Sequence, residues 1–176
     1  MLTIQIDSRE KARAIKKIVA EFDRQRVKHY ISKLWTGDYM SLDNPRVIID
    51  RKQNLSEICA NVCQGHDRFR RELVRAQEMG IKLIILIEHG PDIKSIDDVA
   101  SWQNPRGKIR IPDKIETDPA GNEYWIAGGW RETNAMTGET LAKVMQTQER
   151  KYGCEFEFCE KTQTGKRIIE LLGGDT

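Results

Sequence analysis

The sequence predicts an α/β domain with a mixed central β-sheet and helices on both faces. Three observations carry that expectation. Short apolar runs of strand length, such as Arg46–Asp50 and Ile81–Glu88, alternate with segments of 3.6-residue periodicity. Turn signals such as Asp43-Asn44-Pro45 and Gly90-Pro91 separate them. The longest apolar stretch, Leu83–Ile87, reads as a strand buried on both sides.

The elements follow in order. Leu2–Ile6 alternates apolar and polar residues and reads as a strand. Residues 11–25 place Ile15, Ile18, Val19 and Phe22 on one helical face, with Lys11, Arg13, Lys16, Lys17 and Arg24 on a solvated opposite face. Val27–Trp35 is a second strand, Gly37-Asp38 a bend, and Tyr39–Leu42 extended again. After the Arg46–Asp50 strand, Asn54-x-x-Glu57 resembles a capping box opening a helix to about Cys63. Gly65 interrupts it, a second helix runs from about Asp67 to Met79, and Gly80 ends it. Beyond Ile81–Glu88, Asp97–Trp102 reads as a short helix. Residues 103–137 hold Pro105, Pro112 and Pro119 and form a long loop with a possible hairpin. Gly138–Lys151 is a helix, Glu155–Cys159 a strand and Gln163–Leu172 a final helix.

The chain has 176 residues, enough for one domain over residues 1–176 with one buried core. Charged residues make up 32% of it, but the net charge is only +2, so the placement of charge matters more than its sum. No apolar run approaches the ~18 residues a membrane-spanning helix needs. The start, MLTIQIDSRE, lacks the basic-then-apolar pattern of a secretory signal, so a cytoplasmic location is expected. Cys59, Cys63, Cys154 and Cys159 lack C-x-x-C spacing and read as free thiols rather than zinc ligands. Trp35 and Trp102 read as core or edge packing.

Three acids stand where the chain would bring them together. Asp7 follows the first strand, Asp38 sits at the bend, and Asp50 closes its strand with Lys52 two residues on. Residues two apart on a strand share a face, so Asp50 and Lys52 project together while Arg51 points away. Carboxylates from separate strands beside a lysine suit phosphodiester hydrolysis. Their hard oxygens hold Mg²⁺ or Mn²⁺, which neutralises phosphate charge and acidifies water, and an ammonium orients that water.

Four segments occur in order and spacing that resemble the nuclease domain of the XPF family of structure-specific endonucleases, most closely its short phage-type members. They are IDSREK (Ile6–Lys11), TGDY (Thr36–Tyr39), VIIDRK (Val47–Lys52) and GHDRFRREL (Gly65–Leu73). GETLAKVMQTQERKYGCEFEFC, from Gly138, adds a looser match. The resemblance implies a restriction-endonuclease-like, PD-(D/E)xK fold. It implies a catalytic set of Asp7, Glu10, Asp38, Asp50, Arg51 and Lys52, with Asp7, Asp38 and Asp50 as ligands of Mg²⁺ or Mn²⁺. Asp50 stands where the family usually has Glu. The family's downstream Asp is Ser56 here. Glu57 either replaces it with a one-residue shift or closes the Asn54 cap.

Arg9, His66, Arg68, Arg71 and Arg75 are the expected DNA contacts, the last three on nearly one helical face. His66 takes a position where the family usually has Arg, and fits a phosphate contact, a proton carrier or a surface residue. Arg106, Lys108, Arg110 and Arg131 interleaved with Trp125 and Trp130 suit single-stranded or splayed DNA. The alternative, favoured for Trp125, is a hairpin whose indoles pack on the domain.

The resemblance further implies branched, flap or forked DNA as substrate, cut during recombination, repair or replication. Choice among such substrates would come from the domain itself, from a homodimer or from a phage or host partner. Two other readings remain open: a non-catalytic DNA-binding subunit of the same fold and a sequence-specific restriction-type endonuclease.

Overall fold

The computed structural model describes residues 2–173. Six strands form one mixed sheet: β1 (Thr3–Ile6), β2 (Lys28–Ile31), β3 (Tyr39–Ser41), β4 (Val47–Lys52), β5 (Lys82–Glu88) and β10 (Glu155–Cys159). Their spatial order is β10-β5-β4-β3-β1-β2. β1 pairs with β2, β4 with β5 and β5 with β10, all in parallel, whereas β3 runs antiparallel to both β1 and β4. The C-terminal ends of β1, β4 and β5 therefore meet the start of β3 at one end of the sheet. In open α/β sheets this is where ligands bind.

Helices cover both faces. α1 (Ala12–Arg24) and α6 (Thr164–Leu171) pack on one; α2 (Leu55–Cys63), α3 (His66–Glu78), the single turn α4 (Ile96–Val99) and α5 (Gly138–Tyr152) pack on the other. β5 shows how its sequence specifies both layers. Leu83, Ile85 and Ile87 enter the α2/α3/α5 core, while Ile84 and Leu86 enter the α1/α6 core. Each such fully buried Leu or Ile contributes about 1.5–3 kcal/mol relative to exposure. Ile15, Ile18 and Phe22 of α1 are buried, and the lysines and arginines of its opposite face are exposed.

Two elements are shorter than their sequence pattern predicts. β2 stops at Ile31 instead of running to Trp35, because its only partner, β1, is four residues long. Beyond it Ser32 N still donates to Ile6 O at 3.0 Å and Leu34 N to Asp7 Oδ2 at 2.7 Å, without a further ladder. α4 ends at Val99 rather than Trp102. There Ala100 and Ser101 donate to carbonyls three residues back, tightening the last turn. Trp102 packs against the α2/α3/α5 core, as expected of it.

Residues 103–137 form a projecting β-arm. β6 (Lys108–Ile111) pairs with β9 (Gly129–Glu132), and β7 (Lys114–Thr117) pairs with β8 (Glu123–Ile126). The two ladders are one hairpin broken by Pro112-Asp113 on one strand and Ala127-Gly128 on the other. A Cβ at Gly128 would lie 2.1 Å from the Ile111 carbonyl oxygen, so only glycine fits the break. The arm corrects the packing expected of Trp125, which is 65% exposed, and leaves Trp130 69% exposed. A two-stranded ribbon has no second layer to bury them against.

Candidate active site

Strand β4 sorts its own polar residues. Ile48 faces α2 and α3, Ile49 faces α1 and α6, and the alternation continues past them. Asp50 and Lys52 project toward α3, and Arg51 projects to the opposite side. All three are buried.

Asp38 joins Asp50 through a glycine that no other residue can replace without displacement. Gly37 has φ +64°, and a Cβ there would lie 2.4 Å from Ile48 Cγ2 and 2.9 Å from the Ile49 oxygen. That close approach lets Asp38 N donate to Ile49 O at 2.7 Å. Asp38 O accepts from Asp7 N at 2.8 Å, and Asp38 Oδ2 accepts from the Arg51 amide at 2.7 Å. Strands β1, β3 and β4 are thus tied around one carboxylate.

Lys52 Nζ donates to Asp50 Oδ1 at 2.8 Å and lies 2.6 Å from Oδ2. Both oxygens of Asp50 thus lie against one ammonium. Burial, then the charge of Asp50, then that of Glu10, push the Asp38 carboxyl up to about 8. Burial also raises Asp50, more than Lys52 lowers it. Burial works to lower Lys52, but Asp50, Asp38 and Glu72 outweigh it and hold the amine as an ammonium.

The structure recruits Glu72, which the sequence did not single out. From α3 it accepts from Thr36 Oγ1 at 3.0 Å and from Gly37 N at 3.2 Å, and its charge acts on Asp50. Its position three residues after buried Phe69 was the available signal. One ammonium, Lys52, therefore faces three carboxyls: Asp38, Asp50 and Glu72. These residues line a cleft of about 390 Å³ together with Arg9, Trp35, Asn61, Arg68, Arg71 and Arg75.

This cluster fits a divalent cation. It has an excess of hard oxygen donors, with three carboxyls against the one ammonium of Lys52. Among the described residues no three His, Cys, Asp or Glu side chains converge to hold a metal alone. The fit is to an ion taking few protein ligands and keeping water, as Mg²⁺ does.

Asp7, expected as a metal ligand with Asp38 and Asp50, is held by other partners. Its carboxylate is 1% exposed and saturated. Oδ1 accepts from Arg9 N and Nε at 2.7 and 2.8 Å, and Oδ2 accepts from Arg9 Nη2 and Leu34 N at 2.9 and 2.7 Å. Burial would raise its pKa, yet these bonds bring it below the usual carboxylate range. Glu10 and Arg51 also stand apart from the cleft. Glu10 Oε2 accepts from Arg51 Nη2 at 2.9 Å and from Tyr39 OH at 3.2 Å. Arg51 Nη1 reaches Glu88 Oε1 at 3.1 Å, which also accepts from Thr164 Oγ1 at 2.9 Å. This network meets the cleft at the Arg51 amide and through the charge of Glu10 on Asp38.

Of the remaining expected residues, Arg9, Arg68, Arg71 and Arg75 reach the cleft and His66 does not. His66 heads α3 from a separate groove between α3 and α5, beside Arg70 and Thr140. Glu57 caps α2: its amide donates to Asn54 Oδ1 at 2.9 Å, and its Oε2 accepts from Gln53 N at 2.8 Å. Cys59, Cys63, Cys154 and Cys159 are free thiols.

A mixed sheet with an aspartate pair and a lysine at its carboxyl end is the frame of the site. Residues 6–170 match the ERCC4 domain, and the chain belongs to that family. Its structure is similar to XPF from Aeropyrum pernix, with a TM-score of 0.59 and 14% identity over 97% of this chain. It is similar to the same protein in complex with DNA, with a TM-score of 0.58 and 15% identity over 98% of this chain. The chain spans 63% and 64% of those two solved chains. No curated protein matches.

Proposed function

We propose that the protein is a DNA endonuclease that hydrolyses phosphodiester bonds with Mg²⁺ or Mn²⁺, acting on branched, flap or forked DNA in recombination, repair or replication. One observation carries this reading. The cleft floor holds an under-neutralised carboxyl pair beside a lysine, and its rim holds four arginines.

Asp38 and Asp50 would hold the cation, which supplies Lewis acidity and neutralises phosphate charge. Glu72 borders the pair and is already occupied by Thr36 and Gly37, so it positions their loop. Lys52, held charged, cannot serve as a proton acceptor. It donates to an oxygen of the scissile phosphate or orients the attacking water. The exposed arginines on α3 and Arg9 suit phosphate oxygens flanking the cut.

Nicking of supercoiled plasmid and cleavage of synthetic flaps and forks, with Mg²⁺ or Mn²⁺ and with chelator, test the reading. The wild type should cut, and both chelator and Asp50→Ala should abolish cutting. If no substrate is cut in either metal while DNA is still bound, the chain is a non-catalytic DNA-binding member of its family.

A further inference from the structure

We propose that Trp35 is a stacking plate for a nucleobase at a broken end of base-pairing, and that it is what makes the cleft select branch points. The proposal rests on the endonuclease reading of the same cleft and deepens it.

Trp35 is 82% exposed, the most exposed large hydrophobic residue among those described. The sequence reading placed it in core or edge packing, and the structure corrects that. It stands three residues before Asp38 and lines the same cleft as Asp38, Asp50 and Lys52.

Its backbone is clamped from both sides. Leu34 is buried, its N–H donates to Asp7 Oδ2 at 2.7 Å, and its carbonyl accepts from Arg9 Nη2 at 3.2 Å. The carbonyl of Trp35 itself accepts from Arg75 Nη1 at 3.3 Å. Thr36 is buried and bound to Glu72, and Gly37 N donates to the same carboxylate. The saturated Asp7–Arg9 pair thus has a purpose in the fold: it fixes the segment presenting the indole. A large apolar ring held out in water on a pinned backbone loses little further backbone freedom when a partner covers it.

Charge complementarity specifies the partner. The indole is flanked by Arg9, Arg68, Arg71 and Arg75, with the acid–lysine pair behind it. A polyanion whose backbone follows those arginines brings its bases within reach of the ring. In continuous duplex every base face is already stacked on its neighbour. A free face exists only at a nick, flap, fork or junction, and every base has one, so such stacking ignores sequence.

The test uses a fork with 2-aminopurine at the first paired position of the junction. The Asp50→Asn protein should bind it without cutting and quench its fluorescence. The Asp50→Asn/Trp35→Ala protein should bind without quenching, and Trp35→Phe should quench in part. With cleaving protein, Trp35→Ala should lower the ratio of kcat/KM on forks to that on continuous duplex by roughly 10-fold. Met79→Ala, an exposed apolar side chain at the C-terminal end of α3 and outside the cleft, should leave that ratio unchanged. Equal loss on both substrates, undiminished quenching without Trp35, or a ratio that falls for Met79→Ala and not Trp35→Ala overturns the proposal. If the wild type cuts nothing, the endonuclease reading fails, and the fluorescence experiment still decides the stacking.

Discussion

The two faces of strand β4 carry charged clusters of opposite design. On the α1/α6 side, Arg51 has a carboxylate on each flank, Glu10 and Glu88; Tyr39 donates to Glu10 and Thr164 to Glu88, whose Oε2 has no hydrogen-bond donor. On the α3 side, three carboxyls, Asp38, Asp50 and Glu72, share a single lysine and line an open cleft. The neighbouring residues Asp50 and Arg51 thus belong to different kinds of site. The first network, sealed between β4 and the α1/α6 layer, stabilises only as a complete set. The second, with three carboxyls to one ammonium, stores destabilisation that a cation would relieve, which is how binding sites commonly trade stability for function.

The largest effect should separate the two faces by activity. Asp50→Asn should reduce cleavage at least ~100-fold, as loss of one preorganised electrostatic group does. Its metal-free thermal midpoint should equal or exceed that of the wild type, because a buried carboxylate is removed. A clear loss of stability would mean that the α3-side cluster is structural too.

Arg51→Met should do the reverse. Leaving buried Glu88 and half-buried Glu10 without their cation should cost about 3–5 kcal/mol. Thermal denaturation should show a midpoint roughly 10 °C lower. A midpoint within 2 °C of wild type, on the same scale of about 2–4 °C per kcal/mol, would show the network to be dispensable.

Gly37→Ala tests the link between the faces, since Gly37 lets the Asp38 amide reach β4. The strained φ and the blocked approach should cost about 1–3 kcal/mol. Cleavage should fall further than stability explains, measured below the melting range of both proteins.

Linkage sets the next effect. Folded Asp38 titrates near 8 against an ordinary value of 3.8, so the folded chain keeps a proton that the unfolded chain releases. Metal-free stability from this group is fully present below about 4 and is lost as pH rises through about 8. Chemical denaturation across that window should show the decline. Asp38→Asn should make it shallower, and Mg²⁺ should restore wild-type stability at the alkaline end. A flat profile would remove the electrostatic argument for the cation.

The smallest effect concerns the rim. Replacing Arg68, Arg71 or Arg75 with Ala should weaken DNA binding and lower the slope of log K against log salt by about 0.7–0.9 per contact. The same change at His66, in its separate groove, should leave the slope intact.

Local pattern made much of this legible. Period-2 and period-3.6 spacing identified the strands and helices of the sheet, because side-chain direction repeats locally whatever the tertiary context. The same rule put Asp50 and Lys52 on one face and Arg51 on the other before any coordinates. The extent of β2 was not legible, since a strand ends where its partner ends. The arm was read only as a loop with a possible hairpin, since its side chains have no buried face to impose alternation.

The sequence by itself determined the order of the motifs, both helical layers and the residues able to supply oxygen donors. Only the tertiary structure decided which donors remain free. Asp7 is saturated by Arg9 and Leu34, Glu10 is taken by Arg51, Glu72 is drawn in from α3, and Trp35 is left outside. The physical reason is that a carboxylate's availability depends on every donor within about 3 Å, and most of those donors come from distant parts of the chain.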